Sequence, residues 1–79
     1  MTDLAQQLCA IVADVNPALS VQPDELARPF ADIGLDSLDL SYVLLQVEEQ
    51  LGVKIEDDEV QTLVSLGGIV ELVRAKRGA

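Results

Sequence analysis

Aliphatic residues recur every three or four positions in three stretches of this 79-residue chain. That spacing places them along one side of a helix, where they can be buried against neighbouring helices. The pattern predicts helices over residues 2–15, over residues 36–51 and from Leu66 to a final basic run. The three stripes are Leu4, Leu8, Ile11, Val12 and Val15; Leu40, Val43, Leu44, Val47 and Leu51; and Leu66, Ile69, Val70 and Val73, with Arg74, Lys76 and Arg77 following.

The second predicted helix has clear start and stop signals. Asp36 and Ser37 are both good capping residues, and Asp39 lies in the first turn, where negative charge meets the positive end of the helix dipole. Gly52 follows at the position where helices commonly end.

Proline and glycine divide the rest of the chain into connections. Asn16–Pro17 ends the first helix, because proline lacks a backbone N–H and disfavours helix in the residue before it. Residues 17–36, here called the crossover, show little periodicity. We expect them to be ordered, with one helical turn over 24–27. The side chains expected to hold the crossover against the helices are Leu19, Val21, Leu26, Phe30 and Ile33.

The last third of the chain predicts a connector and a short helix. Residues 53–55 are too short for a stable strand, and Asp57 and Asp58 offer caps for a short helix containing Val60 and Leu63. We therefore expect an all-α fold, a small four-helix bundle of three longer helices and one short one, with a long loop between the first two. Residues 1–79 form a single domain in this prediction.

Composition restricts the function. Fourteen acidic and five basic residues give a net charge of −9, which disfavours nucleic acid and anionic lipid and favours basic partners, although such charge also maintains solubility. With no histidine, and with Cys9 as the one cysteine, the usual catalytic pairs and transition-metal sites are missing. We expect a cytoplasmic monomer that is not an enzyme and does not insert into membranes.

One motif remains, the run G-L-D-S-L-D-L at residues 34–40. It resembles the acyl carrier proteins, in which a D-S-L motif opens the second helix and its serine receives 4′-phosphopantetheine. The order of elements, and an E-E-x-(apolar)-G-x-x-I run at residues 48–55, extend the similarity over essentially the whole chain. The resemblance implies that a phosphopantetheinyl transferase uses coenzyme A to modify Ser37, with Asp36 and Leu38 completing the motif.

The resemblance also implies what the attached arm does. Its terminal thiol holds acyl intermediates as thioesters for acyl-transferring, ligating or condensing enzymes of fatty-acid, polyketide or related biosynthesis. A fatty chain would find shelter near Val43, Val47, Ile55 and Leu63.

A serine at a helix N-terminus suits a phosphodiester, whereas the charges of Asp36 and Asp39 repel it. We therefore expect these acids to engage basic residues or a metal on the modifying enzyme.

A second set of residues predicts where partners bind. Leu38, Tyr42 and Leu45 fall at i, i+4 and i+7, away from the buried stripe of the second helix. The alternative is that the loop partly covers them. We call the predicted partner surface the docking face; it consists of Leu38, Asp39, Ser41, Tyr42, Leu45, Glu48 and Glu49.

Departures from the family pattern leave the pathway open. Ser41–Tyr42 stands where fatty-acid members typically have valine and glutamate. Ser65–Gly68 stands where they have a T-V-x-D-like start to the last helix, and Gly67 and Gly68 would loosen that helix here. These departures favour a specialised pathway. The alternatives are an aminoacyl or peptidyl carrier, and an acidic interaction module in which Ser37 is an ordinary helix cap. The carrier hypothesis predicts that Ser37→Ala abolishes function and costs a cap, about 1 kcal/mol.

Overall fold

Three long helices form the frame of the protein. The computed structural model describes residues 3–77, so the predicted first-helix start at Thr2 lies outside the described residues. The first helix packs against the other two long helices, and the predicted all-α bundle is confirmed. The helices are α1 (Leu4–Val15), α2 (Phe30–Ile33), α3 (Ser37–Leu51), α4 (Asp57–Val60) and α5 (Leu66–Lys76), with a 3-10 helix at Pro23–Glu25.

The core comes from the predicted stripes of the three long helices. Val43 and Val47 of α3 are fully buried, and all four stripe residues of α5 are buried with them. Residues at the ends of the stripes, such as Leu4, Val15 and Leu51, are half-buried and pack around this core. The other buried apolar residues are Leu8, Ile11, Val12, Leu26, Leu35 and Val53.

The crossover is ordered, as predicted, but it holds two helical turns instead of one. The 3-10 helix begins at Pro23, one residue before the predicted turn, and α2 was not predicted. A four-residue helix is too short to show periodicity, and its end at Gly34 is the one sequence signal it has. Gly34 adopts φ 81°, which a glycine tolerates without strain, and donates its N–H to the Phe30 carbonyl.

Backbone hydrogen bonds tie the crossover to the start of α5. The Phe30 N–H donates to the Val64 carbonyl at 3.0 Å, and the Gly67 N–H donates to the Leu26 carbonyl at 2.8 Å. A Cβ on Gly67 would lie 3.2 Å from that same Leu26 oxygen. Gly67 and Gly68, predicted to loosen the helix, lie in its first turn, and Gly67 permits the close approach of the crossover at Leu26.

The capping prediction for α4 is wrong. Glu56 is the N-cap, and its N–H donates to the Glu59 carboxylate at 3.0 Å. Asp57 and Asp58 are the first two helical residues, where their charges still favour the helix dipole, and Leu63 lies beyond the helix end. The sequence suggested the aspartates because they rank above glutamate as caps.

An ion pair joins α4 to α5. Lys76 Nζ lies 2.7 Å from Glu59 Oε1. The hydrogen bond from Lys76, and next the backbone hydrogen bond from Glu56, lower the pKa of Glu59 below its ordinary value.

Among residues 3–77, no helix is long and apolar enough to cross a membrane.

Candidate functional site

Ser37 is the first helical residue of α3, and the segment before it is firmly held. Leu35 is buried and donates its N–H to the Phe30 carbonyl at 3.0 Å. Asp36 is extended, with φ −91° and ψ 178°, and its Oδ1 accepts a hydrogen bond from the Asp39 N–H at 2.8 Å. Asp36 is therefore the N-cap of α3, and Ser37 follows it as an exposed residue.

This arrangement decides between the two capping candidates. Both residues could cap the helix by composition, but Asp36 makes the cap hydrogen bond. The hypothesis that Ser37 is an ordinary helix cap is wrong. Its side chain is left in solvent at a helix terminus, where N–H groups without intrahelical partners and the helix dipole favour a phosphodiester. The residues present thus fit a covalently attached phosphate group.

The two motif aspartates both take part in structural hydrogen bonds. Asp36 caps α3, as described, through Oδ1. Asp39 is partly buried, and its Oδ2 accepts a hydrogen bond from Asn16 Nδ2 at 3.2 Å. This second bond joins the end of α1 to the first turn of α3. Each bond uses one oxygen of its carboxylate, so the predicted role of these acids toward a modifying enzyme stays a prediction.

The apolar residues of the docking face are exposed. The exposed fractions are 62% for Leu38, 53% for Tyr42 and 48% for Leu45. The crossover therefore does not cover them, contrary to the alternative raised from the sequence. The polar members surround them: Glu48 and Glu49 are exposed, and the Ser41 hydroxyl donates to the Ser37 carbonyl at 3.1 Å.

A groove of about 270 Å³ lies beside the docking face, between α3 and α4. Of the residues predicted to shelter a fatty chain, Ile55 lines this groove, Leu63 lines a separate one, and Val43 and Val47 are fully buried. The fully buried valines are core residues, as expected, and the acyl shelter stays a prediction. The residues that line the groove are Ser41, Leu44, Leu45, Glu48, Lys54, Ile55, Asp57 and Val60.

A second groove, of about 340 Å³, lies on the other side of Tyr42. Asp14 and Val15 from the end of α1 line it together with Tyr42 and Gln46 from α3. Asp14 and Gln46 were not predicted site residues. Nothing local in the sequence brings the last turn of α1 to Tyr42, because that proximity depends on how α1 packs against α3.

Cys9 lies outside these sites. It is half-buried in α1, and burial, and next the negative charge of Glu25, raise the pKa of its thiol. A raised pKa reduces the fraction of reactive thiolate, which is typical of a structural thiol. Within the described part of the chain, no group of three or more acidic or cysteine side chains could hold a metal ion.

Comparison with known proteins decides the family. A family described as phosphopantetheine attachment site matches residues 6–73. An acyl carrier protein of Solidesulfovibrio magneticus is 34% identical over 75 residues, covering 95% of this chain and 86% of that protein. The chain belongs to the acyl carrier protein family. A relative in Sinorhizobium fredii is 32% identical over 73 residues, covering 92% of this chain and 94% of that protein. A relative in Helicobacter pylori is 29% identical over 70 residues, covering 89% of this chain and 90% of that protein.

Membership of this family defines the chemical role at a coarse level. The chain is a carrier and not an enzyme, and the cofactor of its family is covalently attached 4′-phosphopantetheine. Such a carrier works with a phosphopantetheinyl transferase and with biosynthetic enzymes.

Proposed function

We propose that this chain carries acyl groups as thioesters on a 4′-phosphopantetheine arm attached to Ser37 Oγ. The observation that supports this assignment best is the division of roles at the start of α3: Asp36 makes the cap hydrogen bond, and Ser37 is exposed beside it. A serine hydroxyl that is exposed and not needed as a cap is free to be modified without loss of the helix.

The attachment is a phosphoryl transfer that a partner enzyme catalyses. The Ser37 hydroxyl oxygen forms a bond to the β-phosphorus of coenzyme A and gives its proton to a base of the transferase. The bond between that phosphorus and the bridging oxygen breaks, and adenosine 3′,5′-bisphosphate leaves. The attached group supplies a thiol that binds acyl groups. The chain contributes the N–H groups of Ser37 and Leu38, which Asp36 does not bind, to stabilise the phosphodiester.

The docking face is the proposed contact surface for the transferase and for the acyl-handling enzymes. Its exposed leucines and Tyr42 next to Glu48 and Glu49 give an apolar centre with an acidic rim, which suits basic partner surfaces. We propose that residues 1–79 act as one cytoplasmic carrier domain in fatty-acid, polyketide or related biosynthesis. Ser41–Tyr42, at the centre of the docking face, supports a specialised pathway within that range.

The decisive experiment is intact-mass spectrometry after incubation with coenzyme A and a broad-specificity phosphopantetheinyl transferase. The wild-type chain should gain one phosphopantetheinyl group, and Ser37→Ala should gain none. Ser20→Ala is the matched control, because Ser20 is an exposed serine that lies outside the docking face. It should be modified like the wild type. Modification of Ser37→Ala would overturn the assignment of the attachment to Ser37. No modification of the wild type by several transferases would favour the interaction module.

The modified protein then tests the cargo. Loading by a transferase that uses acyl-coenzyme A would support an acyl carrier, which agrees with the names of the relatives reported above. Loading only by an amino-acid-activating ligase would favour an aminoacyl or peptidyl carrier. Mass spectrometry distinguishes the two products on the same sample.

A further inference from the structure

The groove lined by Asp14, Val15, Tyr42 and Gln46 has no role in the attachment chemistry. It lies where the last turn of α1 meets the solvent side of α3. Its volume, about 340 Å³, is at the lower end of the roughly 300–1,000 Å³ of small-molecule pockets, so it suits a single side chain better than a whole ligand.

The electrostatics of the groove favour a cation. Asp14 is exposed and is the one charged residue among its lining residues. The groove also lies at the C-terminal end of α1, a twelve-residue helix whose last turn contains no basic residue. The unpaired carbonyls and dipole at that end add negative potential. Next to the groove, Gln46 Nε2 lies 3.4 Å from a Glu49 carboxylate oxygen, which adds a further acid.

The remaining lining residues fit the shape of a particular cation. The half-exposed ring of Tyr42 offers a π face, and Val15 offers an apolar surface for a methylene stem. Arginine matches these features better than lysine, because its planar guanidinium both stacks on aromatic rings and pairs with carboxylates through two N–H groups. We propose that this groove receives one arginine side chain of a basic partner protein.

The groove is also held in place before any partner arrives. The hydrogen bond from Asn16 to Asp39 joins the residue after Val15 to the turn before Tyr42. Beneath the surface, Val12 of α1 and Val43 of α3 are both fully buried. A rigid groove loses little conformational entropy on binding, which favours recognition of a single side chain. The interface with partners thus extends beyond the docking face onto α1.

The test is a ¹H–¹⁵N NMR titration of the full chain with N-acetyl-L-arginine amide. N-acetyl-L-citrulline amide has nearly the same shape without the charge and is the matched probe. The arginine probe should produce saturable shifts at the amides of the four lining residues, and the citrulline probe should not. Tyr42→Ala and Asp14→Asn should each raise the Kd roughly two- to fivefold. Tyr42→Phe, which keeps the ring, should leave it within about twofold.

Control variants separate this inference from the attachment proposal. Leu45→Ala removes another exposed apolar side chain of α3 without touching the groove, and it should leave the arginine Kd unchanged. Ser37→Ala should also bind the probe normally, because the groove does not depend on an attached arm. Equal shifts from citrulline, or unaltered binding in Tyr42→Ala, would overturn the proposal. NMR shifts that centre on the acidic residues of α4, and not on the four lining residues, would overturn the proposal as well.

Discussion

At the scale of single residues, Asp36 and Ser37 show how two similar neighbours receive different roles. Asp36 is extended, outside the helix, and accepts the N–H of Asp39, whereas Ser37 already belongs to the helix. The sequence predicted the start of α3 correctly but could not decide which residue caps it, because both side chains are good acceptors. The backbone conformation of Asp36 makes that decision.

This difference predicts unequal stability effects at adjacent positions. Ser37→Ala removes no cap bond, so it should change the free energy of unfolding by less than about 0.5 kcal/mol, as for ordinary surface substitutions. That is smaller than the loss predicted from the sequence. Asp36→Ala removes the cap and should cost about 1 kcal/mol. Urea unfolding followed by circular dichroism measures both changes.

Asp36→Asn is the control for the cap, because asparagine caps helices about as well as aspartate. It should unfold like the wild type. A loss of stability in Ser37→Ala as large as that in Asp36→Ala would contradict the assignment of the cap to Asp36. If Asp36→Asn is stable but poorly modified by the transferase, the charge of Asp36 acts in recognition.

At the scale of elements, the two glycines of α5 differ in what surrounds them. A Cβ on Gly67 would lie 3.2 Å from the backbone oxygen of Leu26, which the Gly67 N–H itself binds. A Cβ on Gly68 would lie 2.9 Å from the end of the Leu63 side chain. The side chain of Leu63 can rotate away, whereas the Leu26 carbonyl is part of the bonded backbone.

Alanine substitutions should therefore separate the two positions. Alanine is more stable than glycine by about 1 kcal/mol in a helix interior, and Gly68→Ala, in the first turn of α5, should gain part of that amount. In Gly67→Ala crowding against Leu26 opposes the gain, and crowding of this kind costs roughly 1–3 kcal/mol. We expect a lower urea midpoint for Gly67→Ala than for Gly68→Ala. The reverse order would mean that the crossover moves freely relative to α5.

The ion pair between Glu59 and Lys76 predicts a pH-dependent contribution from α4. The lowered pKa of Glu59 means that its carboxylate stabilises the fold above its ordinary pKa, and that this stabilisation is lost as pH falls through the lowered value. Glu59→Gln should unfold at lower urea concentration than the wild type at neutral pH. The difference should begin to shrink as pH falls below the ordinary glutamate pKa of about 4.3, and it should vanish only once the pH is below the lowered pKa of Glu59.

Glutamine is the suitable replacement because it can still accept the Glu56 N–H at the start of α4, so the variant removes the charge and keeps the cap arrangement. Glu71→Gln, which removes one exposed acidic charge from α5 and makes the same change in net charge, is the matched control. A difference between Glu59→Gln and the wild type that persists unchanged at low pH would show that the ion pair is not its cause.

At the scale of the whole molecule, periodic features were predictable and non-local ones were not. The stripes of α1, α3 and α5 define the bundle because burial of one helix face repeats along the sequence. The D-S-L motif likewise led from the sequence to the family, whereas attachment at Ser37 stays a prediction. By contrast, α2 is a single turn, and the groove beside Tyr42 depends on Asp14 from another helix. Such features arise from tertiary packing, which local patterns do not encode.

The net charge of −9 predicts that added salt changes stability and recognition in opposite directions. Repulsion among the acids destabilises the compact chain, and salt screens it over a Debye length of about 10 Å at 0.1 M ionic strength. The urea midpoint should therefore rise with sodium chloride. Attraction to a basic transferase is screened by the same ions, so kcat/KM for modification of Ser37 should fall.

Two variants connect this salt effect to the docking face. Glu48→Gln and Glu49→Gln each remove one exposed acid from α3, so each should lower kcat/KM at low salt and flatten its dependence on salt. Glu71→Gln makes the same change in net charge at an exposed position of α5 and should leave the salt dependence closer to that of the wild type. If all three variants flatten it equally, recognition follows overall charge, and the acids of α3 have no special part in it.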